Sequence, residues 1–196
     1  MIKNTISLVA FAATVTFGSS ALAGGHGYTG PTFDLSGKWE EFRIGFLGDE
    51  AAADIISSNQ CLKDYIEAAY NIPAKLYTFK DYAATMESFA GGNLDYTWFG
   101  ASGYAGLYLQ DPEAGEPVMT RMQPTGDTGY YSVMVTLADS GIENIEDMKG
   151  KRLGFADPNS TSGYLIPSIE LGDQLGNLDD YFASAEFQGG HENGVL

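Results

Sequence analysis

The segment RLGFADPNSTSG, residues 152–163, decides the fold, because a β-type run passes directly into the start of a helix. Arg152 to Ala156 is predicted to be a strand, and Ser160 to Leu175 has the spacing of a helix. The polar residues from Asp157 to Gly163 link them. A strand followed so closely by a helix is the repeating unit of α/β proteins.

This direct passage from a strand into a helix also predicts an anion site. A helix start exposes amides that have no acceptor within the helix and carries partial positive charge. Ser160, Thr161 and Ser162 add three hydroxyls there, which suits the several acceptor oxygens of a tetrahedral PO₃ or PO₄ group. An ordinary helix N-cap explains Asn and Ser equally well, and the run lacks the lysine of a phosphate-binding P-loop.

Strand and helix patterns alternate along the rest of the chain and indicate a mostly parallel sheet. Predicted strands are residues 42–47, 74–79, 94–99, 152–156 and 185–188, with extended runs at 116–122 and 129–137. Predicted helices are residues 49–69, 82–90, 102–110, 144–149 and 160–175, with another beginning at His191. We therefore predict two α/β lobes, residues 42–137 and 138–196, with a cleft between them at the carboxyl ends of the strands.

The amino terminus has the layout of a secretory signal peptide. Lys3 precedes an apolar run that ends in Ala21-Leu22-Ala23, an A-x-A cleavage pattern. We assign residues 1–23 to this peptide and 24–41 to a flexible leader, and we expect a periplasmic protein. A short membrane anchor is the alternative, but no later apolar run is long enough for a spanning helix, so stable membrane insertion is not expected after cleavage.

Composition narrows the class of partner. The formal net charge is −16, so nucleic acid is a poor partner, because no basic stripe is available to replace phosphate counterions. Cys61 is the single cysteine, which excludes an internal disulfide, and the helical pattern around it predicts a buried thiol. An anionic ligand must then be captured locally, by amides, hydroxyls and helix ends.

Other polar residues stand where predicted strands end. His191 follows Gly189-Gly190, where a protonated imidazole can donate to a phosphoryl oxygen, although the sequence alone favours a surface histidine. Tyr82 and Tyr130 begin a helix and the second extended run, and tyrosine offers both an apolar wall and a hydroxyl donor.

Taken in order, these motifs resemble the periplasmic phosphate, phosphite and phosphonate-binding proteins of ABC importers. The matching pieces are KDYA at 80–83, DYTWFG at 95–100, GYYS at 129–132, DPNSTSG at 157–163, Pro167 and GHE at 190–192. The resemblance implies a type II binding-protein fold whose two lobes close on the ligand, with ABC permease subunits as partners and no cofactor or metal. It also implies ligand contacts from Tyr82, Tyr130, Ser160, Thr161, Ser162 and His191.

Two departures from the family pattern bear on the ligand. The loop after the first strand reads Leu47-Gly48-Asp49-Glu50 in place of Ser-Thr-Glu-like residues. The resemblance also places the acidic residues that recognise an aminoalkylphosphonate beyond Leu196, so we interpret the chain as C-terminally truncated with an incomplete second lobe. The identity of the phosphorus oxyanion stays open.

Two alternative functions remain at this point. A sensory binding protein would present the same anion to a receptor and would share the binding chemistry. A hydrolase would use Ser160 or Ser162 as nucleophile and His191 as base, but there is no G-x-S-x-G elbow and no evident acid to orient the imidazole. We therefore expect a carrier and not an enzyme.

Overall fold

A computed structural model describes residues 27–195 of the chain. The predicted signal peptide, residues 1–23, lies outside the described residues. Within residues 27–195, no helix has the length and apolar character needed to cross a membrane.

The first half of the chain is built on a three-stranded sheet in the order β2-β1-β3. Its strands are β1 (Phe42–Phe46), β2 (Ala74–Thr78) and β3 (Tyr96–Thr97), and both pairings are parallel. The helices around it are α1 (Ala52–Ser58), α2 (Gln60–Tyr70), α3 (Tyr82–Ala90) and α4 (Ala101–Gln110). Every strand therefore ends at the same edge of the sheet, as the alternating pattern predicts.

A paired charge fixes the register of the central strand. The Arg43 side chain donates from Nε and Nη2 to the two carboxylate oxygens of Asp95, at 2.9 and 2.7 Å, and the Arg43 amide also donates to Asp95 at 2.8 Å. Burial alone would raise the pKa of the Asp95 carboxyl, but these hydrogen bonds hold that pKa below its usual range. The pair ties β1 to the residue just before β3.

The second half contains a two-stranded parallel sheet, β4 (Arg152–Phe155) with β5 (Ser184–Phe187). A π-helical turn, Thr161–Leu165, leads directly into α5 (Ile166–Leu175). The next helix along the chain is α6 (Leu178–Tyr181). A short 3₁₀ turn, Glu146–Met148, precedes β4, and α7 (His191–Val195) follows β5. The rings of Phe155, Tyr164 and Phe187 pack together, which fixes the helix start against both strands.

Several sequence-based boundaries were wrong. The single helix predicted for residues 49–69 is two helices that meet at Asn59, whose side chain donates to the Ile55 carbonyl at 2.8 Å and so competes with the backbone ladder. The prediction of a buried Cys61 was also wrong, since this residue is exposed near the start of α2.

One predicted strand is shorter than expected, and two predicted extended runs do not form strands. The strand predicted for residues 94–99 is reduced to Tyr96–Thr97, and residues 116–122 and 129–137 join no ladder within the described part of the chain. Strand character needs a partner strand, which a local pattern does not supply.

The predicted leader makes contacts where the structure describes it. The Phe33 and Leu35 amides donate to the carbonyls of Ala69 and Tyr70, at 2.7 and 3.0 Å. The ring of Tyr28 meets Tyr65 edge-on, with centroids 4.7 Å apart. Residues 28–35 therefore pack on α2, although the chain there has no regular secondary structure.

Candidate functional site

The segments that follow the strands of the two halves of the chain meet at one place, which we call the junction. The Ser102 amide at the start of α4 donates to Thr161 Oγ1 at 2.8 Å. The Glu192 amide at the start of α7 donates to the Asp49 carbonyl at 3.1 Å, and Glu192 Oε2 accepts from the Ala51 amide at 2.7 Å. The loop after β1 and the start of α4 thus touch the helix starts that follow β4 and β5.

Ser160 lies at the centre of this junction and is only 2% exposed. Its Oγ accepts from the Gly163 amide at 3.0 Å, so it is the N-cap that the sequence allows. The same oxygen lies 3.0 Å from His191 Nε2. The structure therefore brings together two predicted site residues that come from different strand ends.

The loop before Ser160 is held rigidly. Asp157 is buried, its Oδ1 accepts from the Asn159 amide at 2.8 Å, and its carbonyl accepts from the Ser160 amide at 2.9 Å. These local bonds turn the chain sharply out of β4. The first turn is widened, since Leu165 donates to the Ser160 carbonyl at 3.0 Å, five residues back.

Thr161 and Ser162 begin the helix, so the helix itself provides no acceptor for their amides. Thr161 Oγ1 already accepts from Ser102 and keeps its own proton to donate. Ser162 contributes its carbonyl to the junction, where Ser132 Oγ donates to it at 2.6 Å. Thr161 Oγ1 and the Ser162 carbonyl are therefore tied by hydrogen bonds to other segments of the junction.

Tyr82 enters the junction from the first residue of α3 and is 4% exposed. Its hydroxyl donates to Asp49 Oδ2 at 2.8 Å. Burial, followed by the negative charge of Asp49, raises the pKa of the Tyr82 hydroxyl, and the Ser160 side chain partly offsets that rise. Tyr82 therefore stays a neutral hydroxyl beside Ser160.

Tyr130 lies at the edge of the junction. The residue is 58% exposed, and its hydroxyl is 3.8 Å from the position that a Cβ on Gly100 would occupy. The same Cβ position is 2.8 Å from Thr161 Oγ1. All six predicted residues thus lie around one junction, with Tyr130 at its rim and the others closer to Ser160.

Gly163 is required by the close approach of the two strand ends. A Cβ at this position would lie 2.5 Å from the Ala156 Cβ, 2.9 Å from His191 Cε1 and 2.9 Å from Ser160 Oγ. Any side chain there would push α5 away from His191.

A groove with a volume of about 480 Å³ lies beside these residues. It is lined by Ser162, Gly163 and His191 together with residues 132–136 and β4. Tyr82, Ser160 and Thr161 do not line it. Their hydroxyls face the contact between the two halves, where they pair with protein groups.

Sequence reasoning missed the partners that arrange this junction. Asp49 was noted only as a departure from the family pattern, yet its carboxylate holds Tyr82. Ser102, Ser132 and Glu192 bridge segments far apart in the chain. The available clue is position, since Asp49 and Ser102 each follow a strand at the carboxyl edge.

Comparison with protein families gives a match over residues 44–196. The matching family is described as the periplasmic phosphonate substrate-binding protein of an ABC transporter.

Two curated proteins are also similar. The phosphate-import protein PhnD of Mycolicibacterium smegmatis is 27% identical over 164 residues, which cover 80% of this chain and 51% of the relative. The phosphonates-binding periplasmic protein of Escherichia coli is 29% identical over 106 residues, 52% of this chain and 31% of the relative. The chain thus spans about half or less of the length of these relatives.

Two solved structures share the fold. One is the binding protein component of an ABC phosphonate transporter from Pseudomonas aeruginosa, with a TM-score of 0.67, 22% identity and coverage of 78% of this chain and 51% of that one. The other is PhnD1 from Prochlorococcus marinus in complex with methylphosphonate, with a TM-score of 0.62, 21% identity and coverage of 80% and 58%. The predicted α/β fold of the type II binding-protein class is confirmed by this likeness.

Proposed function

Because the chain belongs to the family of periplasmic phosphonate-binding proteins of ABC transporters, we propose that it captures a phosphonate, phosphite or phosphate oxyanion outside the cytoplasm. It then delivers that anion to the permease subunits of an importer. The predicted signal peptide at residues 1–23 supports export, and the names of the similar proteins support a phosphorus oxyanion as ligand.

The observation that carries this proposal is the convergence of Ser160, Thr161 and His191 with Tyr82 at one junction. None of the six proposed contact residues is a lysine or an arginine. The anion is therefore held by hydroxyls, by the Thr161 and Ser162 amides, and by the imidazole. Each hydrogen bond to a charged group contributes about 1.5–3 kcal/mol, so three or four of them give micromolar binding after ordering costs.

The junction also suggests how binding is coupled to closure. In the structure the hydroxyls of Ser160 and Tyr82 are buried and already hydrogen-bonded to His191 and Asp49. A ligand has to enter while the halves are apart and then exchange these bonds for its own. The halves closing over the anion make a hinge-type clamp, which is the form that the permease is expected to recognise.

A hydrolase is the second candidate, because Ser160 Oγ and His191 Nε2 are 3.0 Å apart, as in a nucleophile–base pair. Two observations favour the carrier. Ser160 Oγ is engaged by the Gly163 amide, and the neighbouring carboxylate of Glu192 accepts from the Ala51 amide instead of orienting the imidazole. A sensory binding protein would use the same site and differ only in its receptor.

Calorimetry and thermal unfolding of the full-length gene product test the proposal. Phosphite, phosphate, methylphosphonate and 2-aminoethylphosphonate are titrated separately, and phosphonate esters are incubated with the protein and assayed for hydrolysis. We expect stoichiometric binding of at least one anion without turnover, and a stabilisation of about 2.7 kcal/mol at a hundred times its Kd. Absence of binding by all four contradicts the proposal, and ester turnover that depends on Ser160 favours the hydrolase.

A further inference from the structure

One atom at the junction is unexplained by the contacts described so far. Asp49 Oδ2 accepts from the Tyr82 hydroxyl at 2.8 Å, but Asp49 Oδ1 is buried and has no hydrogen-bond partner among residues 27–195. Buried carboxylate oxygens without a donor are uncommon, because burial removes water without replacing it. A donor is therefore missing at a defined place in the site.

Asp49 lies within the junction. Its carboxylate is bonded to Tyr82, which also interacts with Ser160, and its carbonyl accepts from the residue that follows His191. The orphan oxygen therefore belongs to the same cluster as the groups proposed to hold the tetrahedral head of the ligand.

The charge around Asp49 is mostly negative. The groups on adjoining elements are Glu50 in its own loop, Lys80, Asp81 and Tyr82 around the start of α3, Asp157 after β4, and His191 and Glu192 at the start of α7. Lys80 is the one cation of this set, and it is mostly exposed and pairs with Asp81 at 3.3 Å. A fully ionised oxyanion placed here would face a carboxylate at close range, which is unfavourable in a partly desolvated site. A singly protonated oxyanion has one P–OH group that can donate to Asp49 Oδ1, while its other oxygens accept from Thr161, Ser162 and His191.

We propose that Asp49 makes the site selective for the singly protonated form of the oxyanion by accepting a hydrogen bond from the ligand's P–OH group. This inference rests on the proposed function, since it assigns a specificity-determining residue to the same site. It predicts that proton-free tetrahedral dianions such as sulfate are rejected. It also predicts that affinity falls as pH rises and the protonated fraction of the ligand decreases.

Asp49→Asn is the informative variant. Asparagine keeps a carbonyl oxygen to accept from Tyr82 and supplies an N–H₂ donor in place of a charge. Methylphosphonate and sulfate are titrated into wild type and variant by calorimetry at about pH 5.5 and about pH 9, on either side of the second ionisation of the phosphonate group. A melting curve for each protein shows that it is folded.

For wild type we expect methylphosphonate to bind about tenfold or more weakly at the higher pH, and sulfate to bind about tenfold or more weakly than methylphosphonate at the lower pH. In Asp49→Asn both differences shrink to within about threefold. Because both proteins keep His191 and the other charged groups, a pH effect that persists unchanged in the variant is not due to Asp49. If the variant is unfolded, equal wild-type affinity for sulfate and methylphosphonate at the lower pH still overturns the inference.

Other outcomes separate this inference from the proposed function. A variant that keeps both wild-type differences overturns the role of Asp49 and leaves oxyanion binding intact. A variant that loses affinity only for 2-aminoethylphosphonate assigns Asp49 to an amino group and also overturns the inference. Wild type that binds no phosphorus oxyanion at either pH defeats the proposed function, and this inference with it.

Discussion

Replacing Ser160 and Thr161 together by alanine removes two hydroxyl donors from the proposed oxyanion grip. Ser160 Oγ lies 3.0 Å from both the Gly163 amide and His191 Nε2, and Thr161 Oγ1 accepts from the Ser102 amide at 2.8 Å. Each hydroxyl has one proton to donate to a ligand oxygen, and such a bond contributes about 1.5–3 kcal/mol. The two hydroxyls together therefore contribute about 3–6 kcal/mol of binding free energy. Water that enters the variant site replaces part of these hydrogen bonds, so we expect the affinity to fall at least about tenfold.

Isothermal calorimetry of the full-length protein with methylphosphonate, phosphite and phosphate measures this loss. Ser160 also caps the helix, so the double variant should lose about 1 kcal/mol of unfolding free energy, and a thermal melt separates that effect from binding. Ser168→Ala is the matched control, because its hydroxyl bonds the Leu165 carbonyl at 2.9 Å, one turn beyond the site. Unchanged affinity in a folded double variant would refute the assignment of this helix start as the ligand site.

Three further predictions concern glycine spacing, the partly buried ion pair of Arg43 with Asp95, and the imidazole of His191. Gly163→Ala should lower both the ligand affinity and the melting temperature, because its Cβ would lie 2.5 Å from the Ala156 Cβ. Gly172→Ala in α5 is the control, since its Cβ meets open space, and it should stabilise the protein by about 0.5–1 kcal/mol. If the two variants behave alike in calorimetry and in thermal melts, the junction geometry is contradicted. Asp95→Asn should cost about 1–3 kcal/mol of unfolding free energy at neutral pH. Because the pKa of Asp95 is lowered on folding, its contribution to stability is fully present above the unfolded pKa of about 3.9 and is lost as pH falls through the folded pKa. Denaturant titrations should therefore give unfolding free energies for wild type and variant that converge in acid. A difference in unfolding free energy that is the same at every pH would contradict this prediction. His191→Ala should weaken oxyanion binding, because it removes the imidazole that lies 3.0 Å from Ser160 Oγ, and unchanged affinity in a folded variant would exclude a ligand contact from this residue.

Local chemistry explains which elements the sequence predicts well. The helix at residues 82–90 has the predicted bounds, because Asp81 caps its start, with Oδ1 accepting from the Ala84 amide at 2.7 Å, and Gly91 and Gly92 end it. The approximate places of the five paired strands, their parallel pairing and the fold class were also predicted correctly. These features follow from hydrophobic period and capping, which act over a few residues.

Features that depend on distant partners were not predictable in the same way. The break at Asn59, the exposure of Cys61 and the unpaired residues 129–137 are decided by what each segment packs against. The site shows the same division. Ser160 and His191 were each proposed from their place after a strand, but their 3.0 Å contact depends on the pairing of β4 with β5. The bond between the Glu192 amide and the Asp49 carbonyl depends on the packing of the two halves of the chain.

A crystal structure of the full-length protein with methylphosphonate tests the central claim most directly. The account predicts phosphonate oxygens about 2.7–3.2 Å from the Thr161 and Ser162 amides and from the hydroxyls of Ser160 and Thr161. A phosphonate group bound in the groove beside β4, or anywhere that leaves these amides and hydroxyls without a ligand oxygen, would contradict it.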